Sequence, residues 1–277
     1  MTPTELSPES VFAPLLKRWR ATRKVSQLEL SLAADVSQRH ISFLESGRAA
    51  PSRAMVLQLG DVLDVPLRER NRLLTAAGFA PVFQARDLDA PDMAPIMAAL
   101  EQVMVHHEPN PAVVLDRNWN VLMRNDAMAR AFVTLAGDLE AMWAKVCPDS
   151  QPNLLKLTFH PDGVRDFIVN WREIGPILLG RTRREAELEG NATLLALLDE
   201  ILDYPGVPRR WHAPTWKTPP PPVLPLEYDV GGTRLKLFSM LSTFGTAQDV
   251  TADELRIETF FPADPASAAL LRAMASQ

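Results

Sequence analysis

Apolar residues recur every three to four positions through the first third of the chain, in short runs broken by capping and turn residues. Leu15, Leu16 and Trp19 fall at helical spacing between Phe12 and Thr22, with Lys17, Arg18 and Arg20 on other faces, which predicts an amphipathic helix. Ser26 with Glu29 three positions on is a capping-box pattern, and it opens a second short helix carrying Leu28, Leu30 and Leu32 and ending near Ala33. Asp35 follows where a tight turn needs a residue that tolerates the left-handed backbone. Ser37 then caps a third helix over 38–45; Ile41 and Leu44 form its inward stripe, Gln38, Arg39, His40, Ser42 and Phe43 lie on other faces, and Gly47 ends it. Pro51 and Ser52 start a fourth helix through Leu63, and Pro66 a fifth that closes before Gly78. The reading is an all-α, five-helix module over residues 1–80.

The pattern then changes. Residues 81–95 include the polar, acidic, proline-punctuated run QARDLDAPDMAP, the composition of a linker. Residues 96–277 read as α+β. Met97, Leu100, Val103 and Met104 predict a helix over 93–105, and two strand-like runs flank the turn Arg117-Asn118-Trp119, followed by a helix from Asp126 to about Leu135. Segments 163–184 and 191–203 read as helices. A hairpin joins 223–230 to 233–243 across Gly231-Gly232, a further strand covers 255–261, and a helix closes the chain over 265–276. The second domain is therefore expected to hold an antiparallel sheet with flanking helices.

With 47% hydrophobic and 23% charged residues, the 277-residue chain can bury an ordinary core, which excludes a disordered or low-complexity protein. No apolar stretch reaches the length of a bilayer span and the N-terminus lacks a signal pattern, so the expectation is a cytoplasmic protein without a membrane partner. The net charge of −5 hides an asymmetry. Between Pro14 and Val56 eight basic residues face three acidic ones, a local +5 that leaves −10 for the rest of the chain. A basic module is joined to an acidic one.

The third helix offers Gln38, Arg39 and His40 at its N-terminal end, side chains suited to the base edges of a DNA major groove. Arg39 can take guanine in bidentate fashion, Gln38 can take adenine, and Ser42 lies one turn further along. Ser37 sits at the same end, and Gln27, opening the second helix, is placed to meet a phosphate. Arg23, Lys24 and Arg48 would supply sequence-blind attraction. Glu45 and Arg20 are assigned to structure, as an ion pair tying the third helix to the first, because a bare carboxylate beside phosphates would weaken binding.

The run from Gln27 through Asp35-Val36-Ser37 to Glu45-Ser46-Gly47, with Arg20 before it and Pro51 after it, resembles the phage-repressor-like helix-turn-helix regulators of the xenobiotic-response-element type. The resemblance spans about residues 12–80 and departs at Ser31, where Ala is usual, and at Asp35, where Gly is usual. It implies double-stranded operator DNA as partner, bound by a homodimer whose two reader helices lie one DNA turn apart.

The strand, turn, strand, Asn125, helix order resembles the start of a PAS-type sensor fold. The run Asn153–Phe159, the helix with Trp171, the Trp211 segment and the final strands together resemble the ligand-binding domain of MmyB-like regulators. That resemblance implies a small-molecule effector, apolar and fatty-acid-like. The tract Pro219–Pro222, a stiff extended connector, departs from it. Candidate pocket residues are Val114, Leu122, Phe132, Trp171, Phe238, Met240 and Phe244, with Arg172, Thr243 or His107 to meet a carboxylate or carbonyl.

No catalytic or metal site is expected. His106, His107 and Glu108 are adjacent and cannot converge easily on one ion, and Cys147 is the only cysteine. Gly231-Gly232 lacks the strand–loop–helix setting of a phosphate cradle, and Asp199-Glu200 reads as a solvated helix face. Beyond a bound apolar ligand, no cofactor is expected. Two alternatives stay open: an enzyme domain recruited by the DNA-binding module, and a helical protein-interaction adaptor.

Overall fold

The computed structural model describes residues 8–209 and 222–276; the Trp211 segment and most of the Pro219–Pro222 tract lie outside the described residues. The chain divides into two compact units. The first holds residues up to Asp87 with 187–191 and 246–253; the second holds 88–186, 192–245 and 254–277.

Five helices build the first unit: α1 (Pro8–Thr22), α2 (Gln27–Ala33), α3 (Gln38–Glu45), α4 (Arg53–Val62) and α5 (Leu67–Ala76). Their order follows from local chemistry. Ser26 and Glu29 form a complete capping box at α2, and the Ser37 and Ser52 side chains accept from the backbone of His40 and Met55 to start α3 and α4. Asp35 adopts φ +49 in the turn between α2 and α3, and Gly47 φ +68 after α3. The inward stripe of α1 is Phe12, Leu16 and Trp19, whereas Leu15 is only half-buried. These three pack with Leu30, Ile41, Leu44, Leu59, Leu73 and Leu74 in one core. The departures noted in the sequence fit this core: Ser31 is buried and donates its hydroxyl to Leu28 O at 2.8 Å. Within the same unit, the proline-punctuated stretch is fastened: Val250 N–H donates to Gln84 O at 2.7 Å and Arg86 pairs with Asp249 at 2.9 Å.

The second unit contains α6 (Ala94–His106), β1 (Ala112–Leu115), β2 (Val121–Arg124), α7 (Asp126–Ala136), α8 (Leu139–Val146), α9 (Leu154–Phe159), α10 (Trp171–Glu189) and α11 (Ala192–Leu202). Then come β3 (Leu226–Val230), β4 (Thr233–Ser242), β5 (Arg256–Pro262) and α13 (Pro265–Ala275); α12 (Val250–Glu254), between β4 and β5 in the chain, falls in the first unit but for its last residue. The strands form one five-stranded sheet, order β2-β1-β5-β4-β3, with every pairing antiparallel. Gly231 and Gly232, at φ +59 and +88, make the tight β3–β4 turn that demands two left-handed residues.

Residues paired across the sheet share a face. Val113 opposite Glu258, Ser239 opposite Phe260 and Tyr228 opposite Leu235 place these six on one side, over the large core built with helices α7–α11 and α13. Ala112, Val114 and Ile257 turn to the other side, where Leu100 and Met104 of α6 cover them. β1 is buried on both faces. Two helices, α8 and α9, were not expected as such, and the helix expected from 163 begins only at Trp171. Gly163 explains part of this, since an added Cβ would lie 2.1 Å from Leu157 O. Nonlocal hydrogen bonds explain the rest: Val169 N–H donates to Glu227 O, and Asn170 exchanges side-chain bonds with Pro225 and Glu227 on β3. That backbone is committed to the sheet edge and cannot also close helical bonds.

Candidate functional site

The reading face is α3 with the turn that precedes it. Ile41 and Leu44, both fully buried, lock the helix to the core, so the opposite side is presented rigidly. Gln38 and Arg39 are exposed, His40 and Ser42 half-buried, and Ser37 is exposed at the N-cap with its Oγ 3.2 Å from the His40 backbone N–H that it accepts. The Arg39 guanidinium lies over the Phe43 ring at 5.1 Å, which limits the rotamers of a long side chain before any contact with a base. Lys24, Arg48 and Arg53 are exposed.

The one carboxylate on α3 is turned away. Arg20 grips Glu45 bidentately, Nε–Oε1 at 2.6 Å and Nη2–Oε2 at 2.9 Å, and a third Arg20 bond reaches Val25 O. Burial pushes the Glu45 carboxyl up, but the bonds from Arg20 and Gln27 with the Arg20 charge outweigh it and hold it below the usual range. The negative charge is thus neutralised inside the fold.

Two residues assigned to phosphate contact also make bonds within the fold. Gln27 donates its amide to Glu45 Oε2 at 2.7 Å, so that group is engaged within the protein. Arg23 donates Nε to Leu63 O at 2.8 Å and Nη2 to Asp64 O, and its guanidinium lies over the Trp19 ring. It satisfies the carbonyls at the end of α4, a structural task that no local pattern reveals, because the partners are some 40 positions away.

In the second unit, the sheet face carrying Glu258 and Phe260 encloses with α7, α9 and α10 a cavity of about 60 Å³. Trp119, Met128, Phe132, Leu155, Leu237 and Phe260 supply apolar wall. The polar groups fall into two kinds. The hydroxyls of Thr158 and Thr182 donate to carbonyls of their own helices, at 2.8 and 2.9 Å. Arg181 and Glu258 keep buried atoms without a partner: Nε and Nη2 of the guanidinium, Oε2 of the carboxyl. Arg181 lies over the Trp119 ring at 5.6 Å. Burial raises the Glu258 carboxyl above its ordinary range, more than the Ser239 hydrogen bond and the Arg181 charge lower it. Tyr228, buried beside it, is pushed up by burial and by Glu258.

Of the seven apolar pocket candidates from the sequence, only Phe132 lines this cavity. Val114, Leu122 and Phe244 belong to the core on the opposite sheet face. Phe238 stacks on Phe261 at 5.5 Å, its register placing it on that same opposite face, where Met240 is 55% exposed. Trp171 packs edge-on against Phe159 in the core. The polar partners shift likewise: Arg172 and Thr243 are exposed, and His107 bonds Phe260 O at 2.8 Å. Alternation marks two strand faces without saying which one borders a void, and Arg181 and Glu258 read in sequence as ordinary surface charges. The His106-His107-Glu108 run diverges. His106 bonds Gln102 O, and Glu108 accepts from Ala127 N–H and Arg130. Among the described residues, no group of His, Cys, Asp and Glu could hold a metal ion, and no helix is long and apolar enough to cross a membrane.

Residues 96–274 match the family model of the MmyB-like transcription regulator ligand binding domain, and residues 16–70 match a helix-turn-helix model. The chain belongs to the MmyB-like transcription regulators. This regulator therefore couples a DNA-binding unit to a ligand-binding one. No curated protein matches it. A solved "RNA-binding Light-Oxygen-Voltage Receptor" is similar over 95% of the regulator and 63% of its own chain, under two-thirds of that length, at 13% identity and TM-score 0.26. That likeness is too slight to inform the fold.

Proposed function

We propose that this MmyB-like regulator reads a specific operator through Gln38, Arg39, His40 and Ser42, and that a small apolar, fatty-acid-like molecule in the cavity of its PAS-like domain sets operator affinity. The observation that carries the DNA-reading part is the presentation of α3. Its inner side is fully buried, its carboxylate is paired away, and its exposed end offers an arginine and a glutamine beside further exposed cations. Such a helix fits a major groove, where Arg and Gln match guanine and adenine edges. Backbone attraction would come from Lys24, Arg48 and the exposed Arg53. Two copies acting on paired half-sites would give the operator length that one short helix cannot specify, so the working species is a homodimer.

The apolar wall of the cavity and its two unpartnered polar side chains support the sensor reading. At about 60 Å³ the cavity exceeds what a single water needs, and a long chain would be admitted only as the surrounding helices part. A ligand that binds the parted state better than the closed one shifts the population toward it, and the reader responds to that shift.

The test is a fluorescence-anisotropy titration of the full chain on a selected operator and on scrambled DNA, with and without the ligand that co-purifies with it. The expected result is a preference for the operator and a change in affinity on adding the ligand. Equal binding to both DNAs would overturn the reader, and an unchanged operator affinity would overturn the sensor.

A further inference from the structure

The outward side of α3 carries an aromatic ring that the polar reading set leaves out. Ile41 and Leu44 are fully buried and fix the inner side of the helix. At about 100° per residue, the positions opposite them are Arg39, Ser42 and Phe43. Phe43 is half-buried, yet it is not among the side chains that pack on the core of the first unit, a role taken nearby by Val36, Ala49 and Met55. Its backbone is held: Phe43 O accepts from Arg48 N–H at 2.9 Å and from Ala49 N–H at 3.3 Å in the turn that closes α3. The ring itself meets Arg39, one helical turn back, whose guanidinium carbon lies over it at 5.1 Å from the centroid. A single phenylalanine at a surface is ordinary. One that faces outward from a reading helix and stacks on the arginine there has a contact of its own to offer.

The geometry of the stack says where. A guanidinium that takes guanine in bidentate fashion lies near the plane of that base. A ring stacked on such a guanidinium is displaced from the plane along the duplex axis, where bases succeed one another every ~3.4 Å, so it reaches the level of the neighbouring pair. The apolar group that a base pair can present there, on its major-groove edge, is the C5-methyl of thymine, which a phenylalanine ring can contact.

We propose that Arg39 and Phe43 read a two-base step as one unit, Arg39 taking a guanine and the Phe43 ring packing on the C5-methyl of a pyrimidine in the adjoining pair, thymine in unmodified DNA. Phe43 is then a specificity-determining residue through that methyl group and a positioning residue for Arg39 through the stack. The inference rests on the operator reading of α3 and deepens it by naming the step that is read. It has a chemical corollary. 5-Methylcytosine carries the same methyl group at the same ring position, so the reader prefers it to cytosine at that place.

The experiment is fluorescence anisotropy of the full chain on the operator selected from random DNA. The guanine is located as the position at which Arg39→Ala loses preference. The thymine beside it is replaced by deoxyuridine, which removes the methyl group alone, and in a second pair of duplexes by cytosine and by 5-methylcytosine. The wild type is expected to bind thymine about fourfold more tightly than deoxyuridine at each half-site, and 5-methylcytosine more tightly than cytosine by a similar factor, the worth of one buried methyl group. Phe43→Ala should bring both ratios close to one and, by freeing Arg39, reduce the guanine preference without abolishing it. Phe43→Tyr, which keeps the ring face, should restore both effects. A selected motif without thymine beside that guanine, wild-type ratios of one, or ratios that survive Phe43→Ala overturn the step reading while the operator reading stands. Absence of any selected motif overturns both. If the melting curve shows that Phe43→Ala does not fold, the wild-type ratios and those of Phe43→Gln, expected close to one, decide.

Discussion

Arg39 and Arg48 are both exposed cations within one loop and helix, yet they are expected to fail differently when removed. Arg39, stacked on Phe43 at the base-reading end, should on change to Ala lose about 1–3 kcal/mol at one operator position and relax the preference there; Arg48→Ala should weaken all sequences alike. Anisotropy on operator and point-changed duplexes separates the two, and a uniform loss from Arg39→Ala would contradict its assigned role. Arg23→Ala, by contrast, should lower the melting temperature, because it strips partners from the Leu63 and Asp64 carbonyls. Glu45→Ala leaves Arg20 half-buried without its partner and should destabilise the first unit by about 3 kcal/mol in urea melts. The pH sign is fixed by the depressed Glu45 carboxyl: its contribution is full above the unfolded value and fades as pH falls through the folded one. Glu258 has the opposite sign. A carboxyl raised by folding favours the native state only at pH below its unfolded value, so its contribution turns unfavourable as pH rises between the two values. Glu258→Gln should therefore gain stability relative to wild type as pH rises across that interval. A stability difference between the two that stays flat across pH would contradict this. The Arg20–Glu45 pair was legible in the sequence because a lone carboxylate on a DNA-facing helix is an anomaly that asks for a partner. The second grip on Glu45, from Gln27, was not, since Gln27 looked equally suited to a phosphate.

At the level of elements, legibility tracked how local the determining bonds are. Helices α2, α3 and α4 start at serines whose side chains accept from a backbone N–H three residues on, a signal contained in four consecutive residues. Ser37→Ala is accordingly expected to lower stability by about 1 kcal/mol and to loosen the start of α3, which faster hydrogen exchange at the amides there would report. Normal protection in the variant would contradict the cap as the organiser of the reading end. The β3–β4 hairpin was legible for the same reason, two glycines in a two-residue turn. The stretch before α10 was not. Its helical periodicity is real, but Val169 and Asn170 are taken by β3 more than 50 positions ahead, and tertiary bonding overrides propensity. Sheet faces were legible as alternation and ambiguous as to side. β1 is apolar throughout because helices cover both its faces, so Val114 and Val113 could not be sorted without the order of the sheet.

For the whole molecule, the division of labour follows the uneven charge. The stretch from Pro14 to Val56, at +5, carries the exposed cations of the reading face, and the rest of the chain, at −10, carries an apolar cavity in which the two polar side chains with unmet atoms are buried. The reader should lose operator affinity by about 0.9 log units per log unit of salt for each phosphate it neutralises, whereas ligand binding in the enclosed cavity should be nearly insensitive to salt. A flat salt profile for DNA would point to an adaptor rather than a reader. What α3 does is measured most directly by selection of bound duplexes from a random DNA pool, run in parallel with wild type and Gln38→Ala/Arg39→Ala. The prediction is one enriched motif for the wild type, arranged as two half-sites about one helical turn apart, and loss of preference in the double variant at the positions those side chains read, with nonspecific binding retained. No enriched motif for the wild type, or an identical motif for the variant, would contradict it.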